Sequence, residues 1–151
     1  MKVVIQRVRR AAVQVAGETI SAIGPGALIL AGVAGDSTTD DVQWLARKVA
    51  CLRIFDDEQG RLNKSLHEVD GTLLVVSQFT LYANCSGGNR PSYVSAASPD
   101  RAEPLLEEFV RLLRAQGCTV LTGRFRAQMQ VDLENDGPVT VILESRAGMR
   151  G

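Results

Sequence analysis

The seven-residue apolar run Ala27–Val33 begins directly after Gly24-Pro25-Gly26, and it constrains the fold more than any other segment. A stretch this short, opened by a strong turn signal, fits a buried strand and falls far below the roughly 20 residues of a membrane span. A second apolar run, Thr72–Val76, has the same character and passes straight into Ser77-Gln78-Phe79-Thr80-Leu81. Around these two runs, Lys2–Val8 and Ala11–Ala16 read as two β segments, with a short third segment after the Gly17-Glu18 turn. Ser37, Thr38 and Thr39 offer helix caps before Asp41–Leu52, where Val42, Leu45, Val49 and Leu52 share one helical face.

Further on, Arg53–Phe55 reads as strand and Asp56–Gly60 as a polar turn. Asn84–Pro99 reads as a long loop, of the kind that is usually functional or mobile. Ser98-Pro99 opens a second helix with proline in its first position, Leu105, Leu106, Phe109, Leu112 and Leu113 form its apolar stripe, and Gly117 ends it. Cys118–Leu121, Ala127–Glu134 and Val139–Leu143 are the last strands, with Asn135-Asp136-Gly137-Pro138 as a turn between the final two. Residues 146–151 show no packing pattern and are expected as a disordered tail. Many strands with two main helices and no regular βαβ alternation give an α+β class, on a mostly antiparallel, barrel-like sheet forming a single domain over 1–145.

Seventeen basic residues balance seventeen acidic ones, so no overall positive field marks a general nucleic-acid binder. An RNA partner would have to be held by a local patch. The three cysteines, Cys51, Cys85 and Cys118, are dispersed, and His67 is the single histidine. That inventory is too thin for a structural zinc site and suits a reducing cytosol. The opening Met1–Arg7 becomes charged too early for a signal peptide. The expectation is a soluble cytoplasmic protein with no metal, no cofactor, no DNA partner and no membrane partner.

A Ser-His-Asp or Cys-His centre would need His67, which sits in a polar segment and reads as an exposed loop residue. Gly24-Pro25-Gly26 lacks the Gly-Lys-Ser/Thr of a phosphate loop. Asp56-Asp57-Glu58 reads as a solvated turn, and Cys85 as an ordinary thiol. Two places remain where polar residues interrupt buried strands. Ser77-Gln78-Phe79-Thr80 is either a strand reaching the surface or the lining of a pocket. Gly137-Pro138 reads by itself as a plain turn.

Together these segments resemble the D-aminoacyl-tRNA deacylase family over nearly the whole chain. The resemblance rests on Val4-Ile5-Gln6-Arg7-Val8, Ser77-Gln78-Phe79-Thr80-Leu81, Gly88-Asn89-Arg90-Pro91-Ser92, Ala97–Ala102, Thr122-Gly123-Arg124-Phe125 and Asn135–Thr140. It implies a homodimer that hydrolyses the ester of D-aminoacyl-tRNA and also cleaves some glycyl-tRNA. Ser77, Gln78, Phe79 and Thr80 would form the catalytic segment. A cis Gly137-Pro138 peptide from the partner subunit would reject L residues, Arg7 would hold that motif, and Phe125 and Met129 would line the pocket for the terminal adenosine. Departures from the family pattern are Tyr82–Ser86 and Gln128, where an acidic residue is frequent. The rival expectation is a noncatalytic RNA-end or nucleotide-binding dimer module.

Overall fold

The computed structural model describes residues 1–146 and 148–151. Its strands are β1 (Lys2–Val15), β2 (Glu18–Ile23), β3 (Gly26–Gly32), β4 (Phe55–Asp56), β5 (Leu62–Lys64), β6 (Thr72–Ser77), β7 (Thr119–Thr122), β8 (Gln130–Arg146) and β9 (Met149–Arg150). The helices are α1 (Thr39–Ala50) and α2 (Pro99–Ala115), with single 3-10 turns at His67–Val69 and Phe79–Tyr82. β1 is the spine. It pairs antiparallel with β3 through Lys2–Val8, with β2 through Ala11–Val15, and with β8 along its other edge.

Two segments expected on either side of Arg9-Arg10 are therefore one strand. The two arginines point out to solvent and break the alternation of side chains, while the ladder continues through Val8↔Asn135 and Arg10↔Glu134. The antiparallel part of the sheet is joined to a parallel part, β3–β6–β7. Parallel neighbours need long crossovers; the chain from β3 to β6 contains α1, and the chain from β6 to β7 contains α2. The sheet runs β7-β6-β3-β1-β8-β9, with β2 on β1, and its ends do not pair among the described residues. The α+β class with two helices holds, but the barrel expected from the sequence is an open mixed sheet within this chain.

Both helices pack on one face of the sheet. Val3, Ile5, Ile29, Leu73 and Val75 meet Val42, Leu45, Phe109 and Leu113 there. The opposite face has its own core of Val8, Ala11, Val13, Ile23, Leu28, Leu74 and Val76. This explains why Leu73–Val76 is apolar at every position: alternate residues feed two cores. α1 starts with a capping box, in which Thr38 Oγ1 accepts from the Asp41 N–H and Asp41 Oδ2 accepts from the Thr38 N–H at 2.9 Å. The other oxygen of Asp41 accepts from Ser145 Oγ at 2.7 Å, and the Met1 amino group donates to the Ser145 carbonyl at 2.6 Å. Helix start and strand end are thus tied at one buried point.

Asn135–Pro138 does not divide two strands. Between the pairs Gln6↔Thr140 and Val8↔Asn135, β1 advances two positions and β8 five, so three residues of β8 bulge out of a continuous strand. Arg7, only 6% exposed, fills the space behind the bulge. Its Nε donates to the Asp136 carbonyl at 3.0 Å and its Nη1 to the Ile54 carbonyl at 2.9 Å, while the Asp56 and Asp136 carboxylates lie at 3.3 and 3.4 Å. Asn135 Oδ1 accepts the Val139 N–H across the bulge at 3.0 Å. Gly137-Pro138 is cis, as the resemblance implies, and Gly137 has φ +126°. A Cβ there would lie 2.7 Å from Val139 Cγ2 and 3.2 Å from Arg7 Nη2.

The expected disordered tail is instead turned back on β8. Ser145 and Arg146 pair with Arg150 and Met149, and Arg146 Nε meets Asp36 at 2.9 Å. Ala147, in that expected tail, lies outside the described residues. The long loop is fastened too, by reciprocal Asn84 and Ser92 backbone bonds (2.8 and 2.9 Å) and by Gly35 N–H to Ser95 O at 3.0 Å. No helix among the described residues is long and apolar enough to cross a membrane.

Two stability predictions arise from these contacts. Arg7→Lys keeps the charge but loses the planar fork that reaches two carbonyls, and should lower stability by about 2–3 kcal/mol; an unchanged urea midpoint would contradict it. For Asp41, burial works to raise the pKa, but the Ser145 and Thr38 donors outweigh it and hold the carboxyl below its ordinary value. Its stabilising contribution is full above the ordinary carboxylate range and disappears as pH falls through the depressed folded value. Asp41→Asn should therefore cost about 1–3 kcal/mol near neutrality, with the gap to the parent closing in urea titrations at progressively lower pH.

Candidate functional site

β6 leaves the core at Ser77. The Gln78 N–H still donates to the Ala31 carbonyl of β3 at 2.8 Å, and the chain then tightens into the Phe79–Tyr82 turn. Gly32 makes room for this turn: a Cβ there would stand 2.8 Å from the Gln78 carbonyl and 3.2 Å from Leu81 Cβ. The first N–H groups of any helical turn have no partner within it. Among the described residues, neither the Phe79 nor the Thr80 N–H has a hydrogen-bond acceptor. Gln78 Nε2 donates to Thr80 Oγ1, which fixes the hydroxyl oxygen as an acceptor and leaves its proton free.

The turn opens on a cleft of about 740 Å³, within the usual range for small-molecule sites. Ser77 lines it from the end of β6, Gln78 and Phe79 from the start of the turn that follows, Phe125 and Met129 from the segment before β8, and Tyr93 and Val94 from the fastened loop. Phe79 and Tyr93 meet edge to face with ring centroids 5.1 Å apart, yet Phe79 remains 57% exposed. A second, smaller cleft of about 320 Å³ lies between α2 and β6–β7 and shares Ser77, Leu106 and Phe125 with the first.

Five of the residues singled out in the sequence thus come together: Ser77, Gln78, Phe79, Phe125 and Met129. Thr80 stands behind them, joined through Gln78. Gly137 and Pro138 do not line this cleft; they are exposed on the bulge, with Arg7 behind them. Tyr93 and Arg126, which also line the cleft, were not picked out by sequence reasoning. The available signal for Arg126 was the run Arg124-Phe125-Arg126, in which cations flank an aromatic residue.

His67 is not part of this machinery. Its Nε2 lies 3.8 Å from the Cys118 thiol, and neither residue lines either cleft. Burial pushes the Cys118 thiol up, away from the nucleophilic thiolate, with Cys51 adding to the effect. The Asp56–Glu58 turn is occupied as well: Asp56 pairs with Arg7, Asp57 accepts the Arg61 and Gln59 N–H groups, and Glu58 pairs with Lys64. The Arg61 and Gln59 backbone donors hold the Asp57 carboxyl below its ordinary value. The cleft therefore offers main-chain donors, a held hydroxyl and apolar walls.

Comparison with known proteins places this arrangement. The family described as D-Tyr-tRNA(Tyr) deacylase matches residues 4–144. The D-aminoacyl-tRNA deacylase of Chlorobaculum tepidum is 54% identical over 96% of this chain and 97% of its own length, and that of Thermotoga petrophila 52% identical over 96% and 97%. A solved structure described as a c-Myc DNA unwinding element binding protein superposes with a TM-score of 0.89 at 42% identity, over 97% of this chain and all of that one. One described as a probable eukaryotic D-amino acid tRNA deacylase has a TM-score of 0.80 over 93% and 97%; at 17% identity this likeness is one of fold. From the match of almost its entire length to that family and the identity to these relatives, the chain belongs to the D-aminoacyl-tRNA deacylase family.

Proposed function

We propose that this protein hydrolyses the ester bond of D-aminoacyl-tRNA, releasing the D-amino acid and the tRNA, in the cleft beside Ser77–Thr80. The observation that carries the assignment of the site is the pair of uncommitted N–H groups at Phe79 and Thr80, at the rim of a cleft with room for a nucleoside. An aminoacyl ester is already labile, so its hydrolysis needs positioning and a place for the developing oxyanion. Water adds to the ester carbonyl, and the carbonyl oxygen takes up negative charge facing the two N–H groups. The acyl–oxygen bond then breaks. The water's hydroxyl stays with the amino acid and its proton passes to the ribose oxygen, with the neighbouring ribose hydroxyl as relay. Phe125 and Met129 receive the terminal adenosine. Thr80 acts as a hydrogen-bond donor and not as the nucleophile, since the one histidine sits at Cys118.

The working unit is a cytoplasmic homodimer of the 1–145 domain, in which Gly137 and Pro138 of each copy enter the other's cleft. Their exposure, their absence from their own cleft and the buried Arg7 behind them support this reading. Main-chain carbonyls facing the substrate's Cα would collide with an L side chain and leave a D side chain free. Such a filter works by exclusion and ignores side-chain identity, so glycyl-tRNA also passes it.

Thr80→Ala should retain hydrolysis of D-tyrosyl-tRNA with a loss of about fivefold to tenfold in kcat, the effect of one hydrogen bond. Complete loss in a folded, tRNA-binding variant would instead make Thr80 the nucleophile. Matched D- and L-tyrosyl-tRNA should differ by about 100-fold or more in kcat/KM, an energy gap that one steric collision can supply. Equal rates would remove the chirality filter.

A further inference from the structure

The wall of the large cleft carries one charged residue among its described lining, Arg126. It occupies an uncommon backbone state. Ala127 N–H donates to the Arg124 carbonyl at 3.2 Å, closing a turn with Phe125 and Arg126 at its centre, and Arg126 has φ +60°. A non-glycine residue in the left-handed region costs about 1 kcal/mol. The turn nevertheless keeps arginine here, beside the aromatic ring that faces both clefts.

No carboxylate lies within ion-pair distance of Arg126, and its side chain donates no hydrogen bond among the described residues. Arg7, Arg9, Arg10, Arg61, Arg111 and Arg146 are paired, whereas Arg124, in the same turn, is in no ion pair among the described residues either; of these, Arg126 is the one that lines the large cleft. The nearby Gln128 is neutral, so no negative side chain lies within two positions of the cation in sequence. With a formal net charge of zero, the protein has no broad field to gather RNA. A local unpaired guanidinium next to a base-stacking ring is the arrangement that grips single-stranded RNA, ring on base and guanidinium on phosphate.

We propose that Arg126 binds the last phosphodiester of the single-stranded acceptor end, holding the terminal adenosine on Phe125 with the ester over the Phe79–Thr80 turn. This rests on the hydrolytic reading of the same cleft and adds a positioning residue to it.

The test uses Arg126→Gly, which suits the positive φ, and Arg126→Lys, which keeps the charge, both assayed on D-tyrosyl-tRNA across a salt series. Arg126→Gly should raise KM about tenfold with kcat little changed, as for one lost charge-assisted contact. It should also flatten the slope of log KM against log salt by about 0.7, one single-strand phosphate, and Arg126→Lys should restore most of both. The difference between variant and parent should vanish on the D-tyrosyl ester of adenosine alone, which has no phosphodiester. Equal KM and equal salt slope for Arg126→Gly and the parent would overturn the assignment. So would a shift from dimer to monomer on light scattering, which would make Arg126 a subunit contact. If the parent cleaves neither substrate, the hydrolytic reading itself falls, a result distinguishable from either.

Discussion

A single buried guanidinium holds together parts of the chain that no local rule would bring near one another. Arg7 projects from the central strand and donates to carbonyls at Ile54 and Asp136, 47 and 129 positions away. A charge so enclosed is tolerable only with several partners, and removing one partner leaves the rest desolvated and unpaired. The bulge in β8 therefore has a definite shape before any ligand arrives. Gly137 belongs to the same assembly, because any side chain on it would press on Val139 and on the guanidinium. Rigidity at this point matters because the motif it carries faces outward.

The cleft works on the opposite principle. Its polar equipment is largely main chain, exposed where β6 stops pairing and a 3-10 turn begins. Such donors are positioned by the fold and need no reorganisation when charge develops, the property that makes backbone oxyanion sites effective. They also titrate nowhere near neutrality, so a chemistry without histidine fits this part of the molecule. The Cys118–His67 pair, which among the described residues resembles a nucleophile and base, is a packing contact at the link between α2 and β7, where burial disfavours the thiolate.

Much of this was legible in the sequence. Periodicity located both helices, glycine and proline marked the turn before β3 and the end of α2, and Thr38 was among the three caps expected. The resemblance drew attention to Ser77, Gln78, Phe79, Phe125 and Met129, which line one cleft, and to Thr80, Gly137 and Pro138, which do not. Continuity was illegible. Arg9-Arg10 and Asn135–Pro138 each look like interruptions, and only pairing across β1 and β8 shows that both strands run through them. The parallel half was also hidden, since a strand feeding two cores has no alternation to reveal its neighbours. Residues 146–151 carry no apolar pattern because β9 is held by backbone bonds and the Arg146–Asp36 pair, neither of which leaves a hydrophobic trace.

The double-sided burial of β6 also affects how the sheet finds its alignment. A strand with one greasy face is locked against slippage, because a shift by one residue turns that face to water. β6 has no such safeguard: slid along β3, it would still present aliphatic groups to both layers. Its alignment is set at the two ends of β3. A methyl group added to Gly26 would lie 1.9 Å from the Thr72 carbonyl, and one added to Gly32 would crowd the Gln78 carbonyl at 2.8 Å. These bare positions act as notches that admit the incoming backbone in one place only. The accuracy with which Ser77, Gln78 and Phe79 are delivered to the cleft thus depends on two residues that have no side chain.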